Sequence, residues 1–154
     1  MRRLTDETGA QRLIGYVIHV PEEATPFVTL SLGERHLNRH GVVHGGILAS
    51  LLDIACGMTM AAELDRATLP PVTTVSMTAN YLAPARAGTL TARARITGGG
   101  RATKFLEAVV EDAAGTTIAT ASTVMKQLRD PAAARAAASA APARARPAKS
   151  PQST

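Results

Sequence analysis

The chain has no tryptophan, one cysteine, two phenylalanines and two tyrosines in 154 residues. A lone cysteine, Cys56, excludes an internal disulfide and a cysteine-based zinc site. It fits a reducing, cytoplasmic setting. So few aromatic rings leave little on which bases could stack, and nucleic-acid binding is not expected as the main task. Long apolar runs are also missing. The best candidate ends at Asp65 and Arg66 and carries Asp53 and Glu63, so no membrane span is expected. The opening "MRRLTDETGAQRLIGYVIHV" has basic residues without a continuous apolar stretch behind them, so no secretory leader is expected either. The four histidines, His19, His36, His40 and His44, include no helical pair at metal-ligand spacing. No metal and no cofactor are therefore expected.

The net charge is +5, but it is unevenly placed. Residues 131–154 hold four basic residues and no acid, whereas residues 1–130 hold 13 basic and 12 acidic ones, a balance of +1. Basicity is thus a property of the tail, whose Ala/Pro/Arg/Ser composition buries too little to repay ordering. The expected organisation is one domain over residues 1–129 and a disordered basic tail over residues 130–154. With 45% apolar residues, that domain can build one core.

The body reads as α+β. Thr5 to Gly15 suggests a short helix capped by Thr5 or Asp6. Tyr16 to Val20 and Phe27 to Leu32 read as strands, and Gly45 to Glu63 as the one long helix. In Val72 to Leu82 the residues Val75, Met77, Ala79 and Tyr81 alternate with Ser76, Thr78 and Asn80, a period of two that marks one buried face. Leu90, Ala92, Ala94 and Ile96 repeat the pattern. Lys104 to Asp112 and Thr116 to Lys126 form a hairpin around "DAAG". The expectation is a long helix on one face of an antiparallel meander.

Large apolar residues populate most sides of the helix, which predicts burial nearly all round. Asp53 is the exception. Its neighbours one turn away, Ala49, Ser50, Cys56 and Gly57, are all small. An unpaired buried carboxylate is costly, so Asp53 is either a functional acid, a member of a narrow solvent-facing stripe, or a structural acid satisfied by backbone donors. At the helix start, "HGG" places the amides of Gly45 and Gly46 in the first turn, without intrahelical acceptors and at the positive end of the dipole. Such amides suit a developing oxyanion. His44 reads as a cap; His36 and His40 read as surface loop residues without partners, and His19 receives no functional role. Gly45 and Asp53 are eight residues apart, about 12 Å along a helix. They cannot both touch one small reacting group. If both act, one must come from a second chain, which predicts a dimer with two symmetric composite sites.

The pattern N-x-x-G-x-x-H-G-G, formed by Asn38, Gly41, His44, Gly45 and Gly46 and followed by Asp53, resembles the hotdog-fold acyl-CoA thioesterases of the phenylacetate-degradation (PaaI-like) type. "YLAPARAG" and "GGGRATKFLEAVVEDAAGTTIATAS" resemble the same family's later strands, so the likeness covers about Gly15 to Leu128. The resemblance implies a sheet wrapped around one central helix, assembly as a dimer or dimer of dimers, and hydrolysis of an acyl-CoA to acid and CoA. By position it assigns Asp53 as nucleophile or general base and Gly45 as the amide donor to the thioester oxygen. Asn38 and His44 would orient the thioester or water, and Thr74 would supply the hydroxyl of the following strand. Thr74 lies on the opposite parity from its strand's apolar face, so that role requires a local bulge or a different function. Gly46, Arg86, Arg101, Lys104, Met77 and Tyr81 form the expected substrate and CoA set, with Ile54 and Met58 in the pocket wall. A non-catalytic acyl-CoA binding module on the same fold, a hotdog dehydratase, and a tail-driven structural role are the alternatives.

Overall fold

A computed structural model describes residues 8–128 together with the two-residue strand β1 (Arg2–Arg3). The expected basic tail and the expected caps Thr5 and Asp6 lie outside the described residues. The elements that follow are α1 (Gly9–Ile14), β2 (Val17–Val20), β3 (Phe27–Ser31), α2 (Gly45–Leu64), β4 (Val72–Tyr81), β5 (Thr89–Gly99), β6 (Thr103–Glu111) and β7 (Thr117–Gln127). Helix α1 starts later than the sequence suggests, because Thr8 serves as its cap: the Thr8 hydroxyl accepts the Gln11 amide at 3.2 Å.

All strand pairs are antiparallel, in the order β1-β2-β3-β5-β6-β7-β4. β5, β6 and β7 form the expected meander, and the Asp112 carboxylate accepts the Ala114 and Thr116 amides to shape the β6–β7 turn. β4 departs from it. It lies at the sheet edge beside β7, not beside β5, and residues 82–88 carry the chain back to the sheet centre. Alternation fixes which face of a strand is buried but not which strand is its neighbour.

The sheet curls around α2. Leu48, Leu51, Leu52, Ala55, Cys56 and Met60 are closed from solvent against Leu90, Ala92, Leu106, Ala108, Val110, Ala121 and Met125. Alanines on the strands let the backbone of α2 approach, while each leucine so buried contributes about 1.5–3 kcal/mol. The helix begins at His44, whose ring Nδ1 accepts the Gly46 amide at 3.0 Å. It ends at Asp65, whose carboxylate accepts the Ala67 and Thr68 amides. Pro70 and Pro71 follow and cannot continue it.

Two expectations about α2 need correction. By length and composition it could cross a membrane, contrary to the sequence reading, although half of it is buried under the sheet as in a core helix. It is also not buried all round. Within the chain the stripe Gly46, Ser50, Asp53, Gly57 is exposed or only half-buried, because the curled sheet reaches about one side of the helix.

Candidate active site

β4 runs antiparallel along α2 and touches it at three heights. Val72 lies against Gly57, Thr74 against Asp53, and Tyr81 against Gly45. Its register holds the decisive irregularity: Thr74 pairs with Met125 and Ser76 with Val124, which leaves Val75 as an extra residue in a β-bulge. The bulge reverses parity on one side of itself. Val75, expected inside with Met77, is instead 60% exposed. Thr74 shares the helix-facing row of the buried Met125 and donates its hydroxyl to Asp53 Oδ1 at 2.5 Å. The bulge that the assignment of Thr74 required is present.

The Thr74 hydroxyl thereby fixes one oxygen of the Asp53 carboxylate. Beside it, Cys56 is fully buried and its thiol reaches the Thr123 hydroxyl at 3.5 Å. Burial pushes the Cys56 thiol up, the Thr123 bond draws it partly back, and the charge of Asp53 pushes it up again. Cys56 is therefore a protonated thiol at neutral pH, unsuited to nucleophilic attack.

At the helix start the two glycines have different duties. The Gly46 amide, expected in the substrate-binding set, is taken by His44 Nδ1. The Gly45 amide is the first of the helix and has no intrahelical acceptor. A Cβ on Gly45 would meet the Tyr81 ring at ordinary contact distance, 3.4 Å, so a side chain extending beyond Cβ would press on the tyrosine. Gly45, Leu48, Tyr81, Leu82 and Pro84 line a mostly apolar cleft of about 320 Å³. A larger hollow of about 450 Å³ opens on the outer face of the sheet around Asn80, Arg95, Glu107 and Ser122, on the opposite side from Asp53.

Other expected site residues are placed differently. Asn38 Oδ1 accepts the His40 and Val42 amides at 2.8 and 3.4 Å, so its carbonyl orders its own loop. Arg86 donates from Nη1 to the carbonyls of His40 and Gly41, each at 3.2 Å. Met77 is half-buried next to the Thr123 row, as expected for a pocket wall. Arg101 sits in the exposed β5–β6 turn, and Lys104 is half-buried in the same cross-strand row as Met125. Arg86 and Arg101 flank opposite ends of β5, an 11-residue strand whose ends lie about 33 Å apart at 3.3 Å per residue. His36 is the clearest miss. It is 2% exposed, with Nδ1 accepting the Gly33 amide at 2.9 Å and Nε2 lying 2.8 Å from the Ile14 carbonyl oxygen. Its own carbonyl accepts the His44 amide at 2.8 Å, so it braces the segment that enters α2. A partner 22 positions away left no local signal.

Residues 40–119, just over half of the 154, match the thioesterase superfamily. The chain belongs to that superfamily. The matched region runs from the loop before α2 into β7 and contains Gly45, Asp53 and Thr74 but not Asn38. Solved thioesterase-like structures share the whole architecture, which is the hotdog fold. The PaaI protein of the E. coli phenylacetic acid degradation operon superposes with a TM-score of 0.71 at 24% identity, over 80% of this chain and 87% of that one. A thioesterase from Haemophilus influenzae gives 0.70 at 22% identity, over 78% and 82%. A Bacillus halodurans protein solved with CoA gives 0.68 at 27% identity, over 79% and 77%. Among curated proteins, PA0474 of Pseudomonas aeruginosa, whose name places it provisionally among esterases, is 36% identical over 61 residues. That alignment spans 40% of this chain and 44% of PA0474. Superfamily membership makes thioester hydrolysis the reaction class.

Proposed function

We propose that this chain hydrolyses acyl-CoA thioesters of aryl or medium-chain acids, with Asp53 as nucleophile or general base and the Gly45 amide as oxyanion donor. The observation that carries this reading is the hydrogen bond from Thr74 to Asp53, made through the Val75 bulge. A hydroxyl on one carboxylate oxygen fixes the other for attack on the thioester carbon or for taking a proton from water. The Gly45 amide, at the positive end of α2, stabilises the negative charge that develops on the acyl oxygen. The apolar cleft beside Gly45 receives part of the substrate's acyl or pantetheine chain.

Gly45 and Asp53 lie eight residues apart on one rigid helix, about 12 Å, so each site takes them from two copies. Two features support that assembly. β4 is an edge strand with one side unpaired among the described residues, and it presents Val75 and Tyr81, 60% and 55% exposed. The small-residue stripe around Asp53 is only partly covered beside it. Edge strands of this length are normally blunted or paired.

Turnover of a panel of acyl-CoA substrates by the wild-type protein and by Asp53→Asn tests the chemistry. Loss of turnover in the variant with oligomer size unchanged is expected; retained turnover removes Asp53 from the mechanism, and thioester binding without turnover in the wild type makes the chain a binding module. Mixed oligomers test the assembly. Asp53→Asn and Gly45→Val, each inactive alone, should recover about a quarter of wild-type activity when co-expressed, since half the dimers are mixed and one of their two sites is intact. No recovery places both groups of a site in one chain.

A further inference from the structure

The segment between β4 and β5 clasps the start of α2. Tyr81 rests on Gly45, and the Ala85 carbonyl accepts the Val43 amide at 2.8 Å. Arg86 Nη1 donates to the carbonyls of both His40 and Gly41. The loop that receives these contacts is closed on itself. Gly41 N–H donates to the Asn38 carbonyl at 2.9 Å, Asn38 N–H to the Val42 carbonyl at 2.8 Å, and the Asn38 side chain accepts two further amides. Gly41 takes a φ of 69°, and a Cβ there would stand 3.5 Å from Arg86 Nη1. Four residues after Gly41 the same loop becomes Gly45.

A charged donor spanning two carbonyls fixes a loop more firmly than neutral turn bonds do. Oxyanion stabilisation depends steeply on where the donor stands, so whatever sets the Gly45 amide sets the rate. We infer that Arg86 is a positioning residue for the Gly45 amide, acting through the His40 and Gly41 carbonyls, and not a ligand of the CoA phosphates. This inference rests on the catalytic reading given above. The guanidinium lies at the end of β5 opposite Arg101, and its Nη1 is already committed to the loop.

The test compares wild type, Arg86→Ala and Arg86→Lys on one acyl-CoA and on the matching acyl-pantetheine, which lacks the nucleotide phosphates. Arg86→Ala should lower kcat about tenfold or more on both substrates. KM should move less than about twofold on both. Arg86→Lys, which keeps a charged donor, should restore much of the lost kcat. A loss confined to KM for the acyl-CoA, with acyl-pantetheine unaffected, makes Arg86 a phosphate ligand and overturns the inference. An unchanged kcat on both substrates overturns it as well. If Arg86→Ala fails to fold by thermal melting or oligomer size, Gly41→Ala strains the same link from the loop side. It should give the same kcat-selective loss, and an unaltered kcat would again sink the idea. Asp53→Asn keeps the two readings apart. Turnover in that variant removes the catalytic reading itself, whereas a dead Asp53→Asn alongside KM-only effects at Arg86 removes only the positioning role.

Discussion

The two sides of α2 differ in what limits them. On one, Leu48, Leu51, Leu52, Ala55 and Met60 are closed against the sheet, and their sizes are set by the volume they fill. On the other, Gly46, Ser50, Asp53 and Gly57 stay half-open, and their smallness leaves room for something from outside the chain. The same helix thus serves as core and, in the proposed mechanism, as wall of a site. Stability belongs to the first side and chemistry to the second, and substitutions should separate the two.

The sharpest contrast pairs neighbours in sequence. Asp53→Asn should reduce turnover about a thousandfold or more while leaving the unfolding midpoint in urea nearly unchanged. Leu52→Ala should do the reverse, costing about 2–5 kcal/mol in the same denaturation while the folded fraction keeps its kcat. Equal effects on both properties from either substitution would dissolve the distinction. A smaller effect is expected at the Thr74 hydroxyl. Thr74→Val keeps the shape and removes the donor, so kcat should fall about tenfold to a hundredfold with KM near its starting value, and Thr74→Ser should retain most activity.

Cys56 lies on the boundary between the two sides. Burial and the nearby Asp53 charge hold its thiol above the ordinary range. Alkylation at neutral pH should therefore be slow in the folded protein and complete once it is unfolded, as followed by mass spectrometry. Fast native labelling would mean that the helix opens on the Asp53 side. The smallest effect is reserved for a place remote from both. The Thr116 amide, ahead of other turn contacts, holds the Asp112 carboxyl below its usual range. A depressed carboxylate stabilises the fold above its unfolded pKa, about 3.9, and the gain is lost as pH falls through the depressed value. Wild type and Asp112→Ala should then differ slightly in urea midpoint at neutral pH and converge in strong acid. Activity should be the same in both.

Much of this architecture was legible beforehand because periodicity reports faces directly. The long helix, the β6–β7 hairpin and the alternation of β5 follow from spacing alone; the ends of the helix and hairpin differ from expectation by one residue at most, while β5 runs three residues past Ile96. Val75 and Thr74 were assigned the wrong faces because one extra residue in a strand is invisible to a period-two pattern. Arg86 read as a CoA-binding cation and His36 as a surface loop residue. Both are held by carbonyl groups 22 to 46 positions distant, which no local pattern encodes.

The sequence by itself determined that one long apolar helix would carry a lone acid among small residues, with two glycine amides at its start. Composition, spacing and helix geometry suffice for that, including the 12 Å that roughly separates Gly45 from Asp53. Tertiary structure alone decided that Thr74 meets the acid, that His44 takes the Gly46 amide and leaves Gly45 unengaged, and that Arg86 holds the loop that leads into the helix. Each of these depends on a bulge, a cap or a crossover that brings distant residues within bonding distance, and hydrogen bonds of that kind form by position in space, not by spacing along the chain.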